Sequence, residues 1–179
     1  MKVKTPDLRL LEGVVSDRVL AAMRAASSQL TAIGVRHALV GGLAVGAHGY
    51  PRATKDVDFL VGPEAFEFHP GDIVTLRAGV PIQVSGVLVD PLSIREDERF
   101  LEAVLDEAER GQGVPVAPVE ALTFLKLRSP RRRDQADVVD LIKAGADVER
   151  CRRYLETNAP DLVATFADLV QLAERESEL

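Results

Sequence analysis

The chain has 179 residues, the usual size of one globular domain, and a formal net charge of −6. The negative charge argues against recruitment of nucleic acid by bulk electrostatics, and 4% aromatic residues with no Trp argue against a base-stacking platform. The single cysteine, Cys151, excludes an internal disulfide, and no apolar run suits a membrane span or a signal peptide, so we expect a cytoplasmic protein with no membrane contact.

The N-terminal part is predicted to contain one long helix followed by a strand–helix–strand unit. Ser16 is a suitable N-cap for the helix, apolar residues then recur at helical spacing, and Gly34 ends it. Ala38–Val40 is a short apolar strand, after which Gly41-Gly42 turns the chain where a side chain would obstruct.

The strand–helix–strand unit continues to residue 61. Leu43–His48 suits one or two turns of helix, which Gly49 closes. Tyr50-Pro51 forces an extended exit, and Asp56–Val61 is predicted to be the second strand.

The rest of the chain is predicted to supply short strands and then helices. The strands are expected at Ile73–Arg77, Ile82–Ser85 and Val87–Leu92, with a short edge strand at Val114–Val116. Helices are expected at 98–109, Val119–Leu127, Asp134–Ala144, 148–158 and from Pro160 to about Arg175. This order predicts an α+β fold with a core at residues 1–117 and a C-terminal helical region at 118–179. Because about 60 residues are near the lower limit for independent folding, we expect that region to pack on the core.

Asp56 and Asp58 are the first candidates for chemistry. Because strand side chains alternate, both carboxylates point to one face, where they repel each other unless a cation lies between them. A divalent ion such as Mg²⁺ takes oxygen ligands of this kind, whereas the alternative is a solvated pair on an edge strand. The free backbone N–H groups of Gly41 and Gly42 favour phosphate oxygens, although the two glycines also suit a simple tight turn.

The stretch 41–58 carries a resemblance to a known family. It reads Gly-Gly-Leu-Ala-Val-x-Ala-His-Gly-x-Pro-Arg-Ala-Thr-Lys-Asp-x-Asp and resembles the signature of the nucleotidyltransferase superfamily. More closely, it is similar to small bacterial members related to abortive-infection toxins of the AbiEii type. The resemblance implies a small mixed β-sheet with flanking helices and the site at its edge.

The resemblance also implies a third carboxylate, for which Asp90 is the best candidate. Asp90 follows an apolar run, and Asp72 and Asp97 are poorer because they lie in turn or loop segments. Pro91 removes a ladder N–H and confines the position to an edge or strand end, so a turn-capping Asp90 is the rival interpretation. Asp56, Asp58 and Asp90 would then be the catalytic and metal-binding set, holding Mg²⁺ with Mn²⁺ as an alternative.

Cations for a triphosphate are expected at Arg52, which matches the family pattern, and in a basic cluster further on. The cluster contains Lys126, Arg128, Arg131, Arg132 and Arg133. Leu-x-x-Leu-Lys-Leu followed by Arg-Arg-Asp-x-x-Asp resembles later motifs of the toxin group. By that resemblance Lys126 would hold the triphosphate and Asp137 would orient it or the helix. The alternatives are a solvated helix–helix connection for the cations and a solvated helix face for Asp137.

The function predicted from these features is transfer of a nucleotide from a nucleoside triphosphate to an acceptor hydroxyl. The family analogy raises RNA such as tRNA, proteins and small molecules as acceptors, and an antitoxin as a partner. A different class of function is a binding module on a catalytically decayed transferase fold, or a partner in a toxin–antitoxin pair. The sequence feature that favours this alternative is the lack of a secure third carboxylate.

Overall fold

The computed structural model describes residues 5–67, 76–108, 111–129 and 131–178. The strands in these ranges are β1 His37–Val40, β2 Val57–Val61, β3 Ile82–Val84 and β4 Val87–Ser93. The α-helices are α1 Asp17–Ala32, α2 Gly41–Ala47, α3 Glu102–Glu107, α4 Val119–Leu127, α5 Arg132–Lys143, α6 Val148–Asn158 and α7 Val163–Ser177. Short 3₁₀ segments occupy Leu8–Leu11, Pro63–Phe66, Glu96–Leu101, Gly111–Gly113 and Pro160–Leu162.

The four strands form one mixed sheet in the order β1-β2-β4-β3. β1 pairs antiparallel with β2, β2 pairs parallel with β4, and β3 pairs antiparallel with β4. The parallel pair places Asp58 of β2 directly beside Asp90 of β4. The predicted α+β class, with a mixed sheet and helices around it, is confirmed.

The turn between β3 and β4 is fixed by two residues with positive φ. Ser85 has a φ of 52° and Gly86 a φ of 72°, the conformation of a two-residue hairpin whose twist matches that of its strands. Arg18 of α1 donates from Nε to the Ser85 carbonyl at 3.0 Å, so the hairpin is tied to the first helix.

Of the two positions expected for Pro91, an edge or a strand end, the structure shows an edge, because β4 continues to Ser93. β3 pairs with β4 only as far as Val89, whereas β2 pairs with β4 as far as Ser93. Beyond Val89, β4 is therefore paired only with β2 among the described strands. On the unpaired side of β4, the N–H that Pro91 lacks would have no strand partner.

The core lies between the sheet and the helices packed on it. Helix α1 contacts all four strands, and its buried stripe includes Leu20, Met23 and Leu30. The spacing of these residues gives one apolar face. Phe59, the residue after Asp58 in β2, is fully buried, and its packing holds the strand that carries Asp58 in place.

The C-terminal helices pack on each other and on α2. Helix α4 contacts α5 and α6, α5 contacts α7, and both α4 and α5 contact α2. His48, just after α2, donates from Nε2 to the Ala117 carbonyl at 2.8 Å. No helix in the described ranges combines the length and apolar character that a membrane crossing requires.

That residues 118–179 pack on the core and are not a free-standing domain stays a prediction, which an unfolding experiment can test. We expect one cooperative unfolding transition in urea, because separating the two regions exposes buried apolar surface on both. The test follows far-UV circular dichroism and the intrinsic fluorescence of Tyr50 in the core region and Tyr154 in the C-terminal region under urea titration. Two resolved transitions in the circular dichroism would contradict it.

The element boundaries differ from the sequence predictions in several places. The second strand begins at Val57, so Asp56 precedes it, and Val114–Val116 forms only an isolated bridge from Val116 to Leu39. The helix expected at 98–109 is instead a 3₁₀ segment followed by α3, because the backbone at Glu98 is not helical, with φ −121° and ψ 24°. Of the expected strand Ile73–Arg77 only the last two residues are described, and neither is in a strand; Asp72 lies outside the described residues.

Candidate active site

The sheet brings the three predicted carboxylates into one region. Asp58 and Asp90 are register partners in the parallel pair of β2 and β4, so their side chains lie on the same face of the sheet. Both are half-buried, whereas Asp56 is exposed one residue before β2. The structure thus places Asp90 within a strand beside Asp58, and not in a capped turn.

The three carboxylates act on one another electrostatically. The pKa of Asp58 is raised to about 6, first by burial and then by the charges of Asp56 and Asp90, while the charges of Lys126 and Arg131 oppose the rise. Burial also raises the pKa of Asp90, with an added contribution from Asp56. These shifts follow from placing like charges together in a partly desolvated region.

The carboxylates suit a hard divalent cation in their chemistry, although they do not form a finished cage. Within the described ranges, no group of three His, Cys, Asp or Glu side chains is gathered closely enough to hold a metal ion as it stands. Carboxylate oxygens are nevertheless the ligands that Mg²⁺ prefers. Asp58 and Asp90 occupy partnered positions on strands about 4.8 Å apart, so rotation of their side chains is enough to direct oxygens at one ion.

Gly41 and Gly42 begin α2 immediately beside this acidic group. Gly41 has a φ of +67°, and a Cβ on it would lie 2.0 Å from Oδ2 of Asp58. A Cβ on Gly42 would lie 3.0 Å from Thr54 Oγ1 and 3.3 Å from a guanidinium nitrogen of Arg52. The absence of a side chain at Gly41 is therefore what allows the Asp58 carboxylate to lie against the start of the helix.

Arg52 and Lys126 are joined through Asp137. Arg52 donates from Nε and Nη2 to the two oxygens of Asp137 at 3.1 and 2.9 Å. Nζ of Lys126 lies 2.6 Å from Oδ2 of Asp137. Asp137 is 2% exposed and Lys126 is 8% exposed, so this carboxylate is a buried bridge between two cations and does not lie on a solvated helix face.

Asp134 and Ser129 complete this network, and the sequence analysis did not single them out. Asp134 accepts from Lys126 Nζ at 2.8 Å and from Ser129 Oγ at 2.5 Å. The Lys126 and Ser129 contacts hold the pKa of Asp134 below its usual value despite burial. The sequence shows the three-residue spacing of Asp134 and Asp137, but it does not show that Lys126 is buried and paired with both.

The remaining cations of the basic cluster divide into two groups. Arg128 pairs with Glu98, which is 3% exposed, and lies 5.9 Å from the centroid of the Phe124 ring. The three arginines 131–133 are exposed at the start of α5. The basic cluster as a whole is therefore neither a solvated helix–helix connection nor a set of cations that all face the acidic residues of the sheet.

The raised pKa of Asp58 predicts a pH dependence of stability in the metal-free protein. A raised carboxyl pKa means that the folded state binds the proton more tightly, so stability present below pH 4 is lost as the pH rises through about 6. The loss should be about 1–3 kcal/mol after allowing for partial exposure. Thermal unfolding of the wild type and Asp58→Asn, compared between pH 4 and 8 in EDTA, measures it. Because acids far from Asp58 titrate equally in both, the difference curve reports Asp58 together with the carboxylates coupled to it, and a flat difference curve would contradict the prediction.

Comparison with known proteins gives a likeness in fold and none in sequence family. A scan against models of protein families finds no match, and a search of curated proteins finds none. Among solved structures, the chain is similar to an antigenic nucleotidyltransferase-like protein from Paracoccidioides brasiliensis. The two share 16% sequence identity with a TM-score of 0.49, over 90% of this chain and 94% of the other. At this level of likeness we assign no function from it.

Proposed function

We propose that the chain is a Mg²⁺-dependent nucleotidyltransferase. The observation that carries this proposal is the juxtaposition of Asp58 and Asp90 on one face of the sheet, with Asp56 beside them and the side-chain-free start of α2 against Asp58. The sequence resemblance of residues 41–58 to the superfamily signature supports this activity. The closer resemblance to AbiEii-type toxins supports a role for the chain in a toxin–antitoxin pair or in phage defence.

Asp56, Asp58 and Asp90 would hold the metal ion, for which their oxygen donors are suited. Bound Mg²⁺, or Mn²⁺ in its place, would neutralise charge on the triphosphate and on the attacking and leaving oxygens. The three aspartates are not otherwise engaged, since no hydrogen bond or ion pair to a described side chain occupies their carboxylates, in contrast to Asp134 and Asp137.

The triphosphate would lie between the acids and the C-terminal helices. Gly41 and Gly42 would let its phosphates approach the α2 backbone, and Arg52, which lies against Gly42, and Lys126 would supply the positive charge, both oriented by Asp137. An acceptor hydroxyl oxygen would attack the α-phosphorus, the bond from that phosphorus to the bridging oxygen would break, and pyrophosphate would leave. Asp90, whose pKa is raised, would accept the proton of the hydroxyl.

The decisive assay detects transfer of a labelled nucleotide and does not require the acceptor to be known beforehand. The protein is incubated with α-labelled and, separately, γ-labelled triphosphates in Mg²⁺, with total RNA, total cell protein or small hydroxyl compounds such as aminoglycosides as acceptors. We expect the α-label to enter one acceptor pool and the γ-label to leave as pyrophosphate. Asp58→Asn should abolish transfer, and Asp168→Asn, an exposed aspartate of α7, should not.

A second candidate is a nucleotide- or protein-binding module, including an antitoxin-associated one, on a decayed transferase fold. The observation that favours it is the lack of a gathered three-carboxylate group in the described ranges. This candidate predicts triphosphate or partner binding with no label transfer to any pool. Transfer of the α-label would eliminate it.

A further inference from the structure

A cleft lies between helix α1 and the sheet, on the face of the sheet opposite to the acids. Its floor is formed by Phe59 of β2 and by Val89 and Pro91 of β4. Because successive side chains of a strand point to opposite faces, these residues point away from the face that carries Asp58 and Asp90. The cleft is therefore a different place from the candidate active site, and the proposed transfer reaction makes no use of it.

The cleft is large enough for a small molecule, and its lining carries no charge in the part of the chain that the structure describes. Its volume is about 670 Å³, within the range of pockets that hold small ligands. Helix α1 contributes Leu30, Ile33 and three alanines, whose short side chains leave space above the sheet. The polar lining residues Gln29, Gln83 and Ser85 are uncharged and exposed, so they mark the rim.

The exposure of the lining residues indicates where a ligand would enter and what would hold it. Phe59 and Val89 are 0% and 2% exposed, whereas Ile33 and Ile82 are half-buried and therefore nearer the mouth. Removing the remaining apolar surface from water favours an apolar occupant. A phosphate or carboxylate would lose its hydration with no cation of the described lining to pair with, and such desolvation is costly. The lining thus selects an uncharged molecule.

We propose that this cleft binds an uncharged, largely apolar small molecule with a hydrogen-bonding group at one end, such as a long-chain alcohol or a hydrophobic amide. The apolar part lies between α1 and strands β2 and β4, against Phe59 and Pro91. The polar end remains at the rim, where the Gln29 amide and the Ser85 hydroxyl supply hydrogen-bonding groups. The inference does not rest on the proposed function, because it uses neither the acids nor a nucleotide.

The test uses N-phenylnaphthylamine, an uncharged apolar dye whose fluorescence rises in apolar surroundings, titrated into the full chain. We expect saturable binding by the wild type. Ala25→Phe places a ring in the cleft and should weaken dye binding about tenfold or more. The matched control is Ala21→Phe, an exposed position one turn earlier on α1 and outside the described lining, which should bind the dye as the wild type does.

The chemical class of the ligand is tested by competition with the dye. Octanol and octyl phosphate have the same chain and differ in the charge of the head group. We expect octanol to displace the dye at a concentration about tenfold lower or less, because the described lining has no cation for the phosphate. A nucleoside triphosphate with Mg²⁺ should not displace the dye, because its proposed site is on the other face of the sheet.

Three results would overturn the inference. The first is the lack of saturable dye binding by the wild type, which would mean that the protein itself closes or fills the cleft. The second is equal dye binding by folded Ala25→Phe and Ala21→Phe, and the third is displacement by octyl phosphate as effective as that by octanol. Thermal unfolding verifies the fold of each variant. Ala25→Leu, which adds less volume and should also weaken dye binding, takes the place of Ala25→Phe if that variant does not fold.

Discussion

Replacing Asp137 with alanine should lower the free energy of unfolding by about 3–5 kcal/mol, which is the usual cost of removing one partner from a buried ion pair. Asp137 is 2% exposed, and its two oxygens bind Arg52 and Lys126. Without it, Lys126 keeps only Asp134, and Arg52 loses both of its hydrogen bonds to that carboxylate. Urea denaturation at pH 7 measures the change.

Asp140→Ala is the matched control for this prediction. Asp140 lies one turn further along α5 and is half-buried, and its pKa is raised, mainly by burial. Its ionised form is therefore disfavoured in the folded protein, and its removal should change the free energy of unfolding by less than about 1 kcal/mol. If the two variants are equally stable, Asp137 is not the structural bridge that its contacts indicate.

Gly41→Ala should abolish Mg²⁺-dependent triphosphate binding and destabilise the fold. The new Cβ would lie 2.0 Å from Asp58 Oδ2, so the carboxylate must move away from the start of α2, and the new methyl group restricts the rotation by which Asp58 would reach a metal ion. The positive φ adds a backbone penalty of about 1–2 kcal/mol, and displacement of Asp58 adds a further 1–3 kcal/mol by the usual cost of overpacking. Calorimetry and urea denaturation measure the two effects.

Gly34→Ala separates the two contributions. Gly34 has a φ of +75°, close to that of Gly41, but nothing lies within 4 Å of the Cβ that the substitution would add. This variant should carry the backbone penalty alone and bind triphosphate as the wild type does. Equal stability loss and equal binding in the two variants would show that the contact with Asp58 is without consequence.

The sequence was most informative where local pattern determines local structure. The apolar spacing of α1 and the start of α4 at Val119 are local features, and the structure has both. The Asp-x-Asp pattern was sufficient to place Asp58 on one face of a strand. Its pairing with Asp90 required the sheet order, which the family resemblance implied only in outline and the periodicity did not contain.

The parts that the sequence did not reveal depend on contacts between distant segments. Glu98 is a buried partner of Arg128, 30 residues away, and Asp137 pairs with Arg52 across 85 residues. The basic cluster has the composition of an exposed segment, and its sequence gave no sign that Lys126 is buried while Arg131 is exposed. Burial of that kind depends on how α4 and α5 pack on α2, and helical spacing alone does not encode it.

The central claim, that Asp58 belongs to a metal-dependent triphosphate site, is tested most directly without knowing the acceptor. Calorimetric titration of a non-hydrolysable triphosphate into the wild type, Asp58→Asn and the control Asp168→Asn, each with Mg²⁺ and with EDTA, supplies the measurement. We predict binding by the wild type and the control only with Mg²⁺, and a loss of about tenfold or more in Asp58→Asn. Equal affinity of Asp58→Asn and the wild type in Mg²⁺ would contradict the claim.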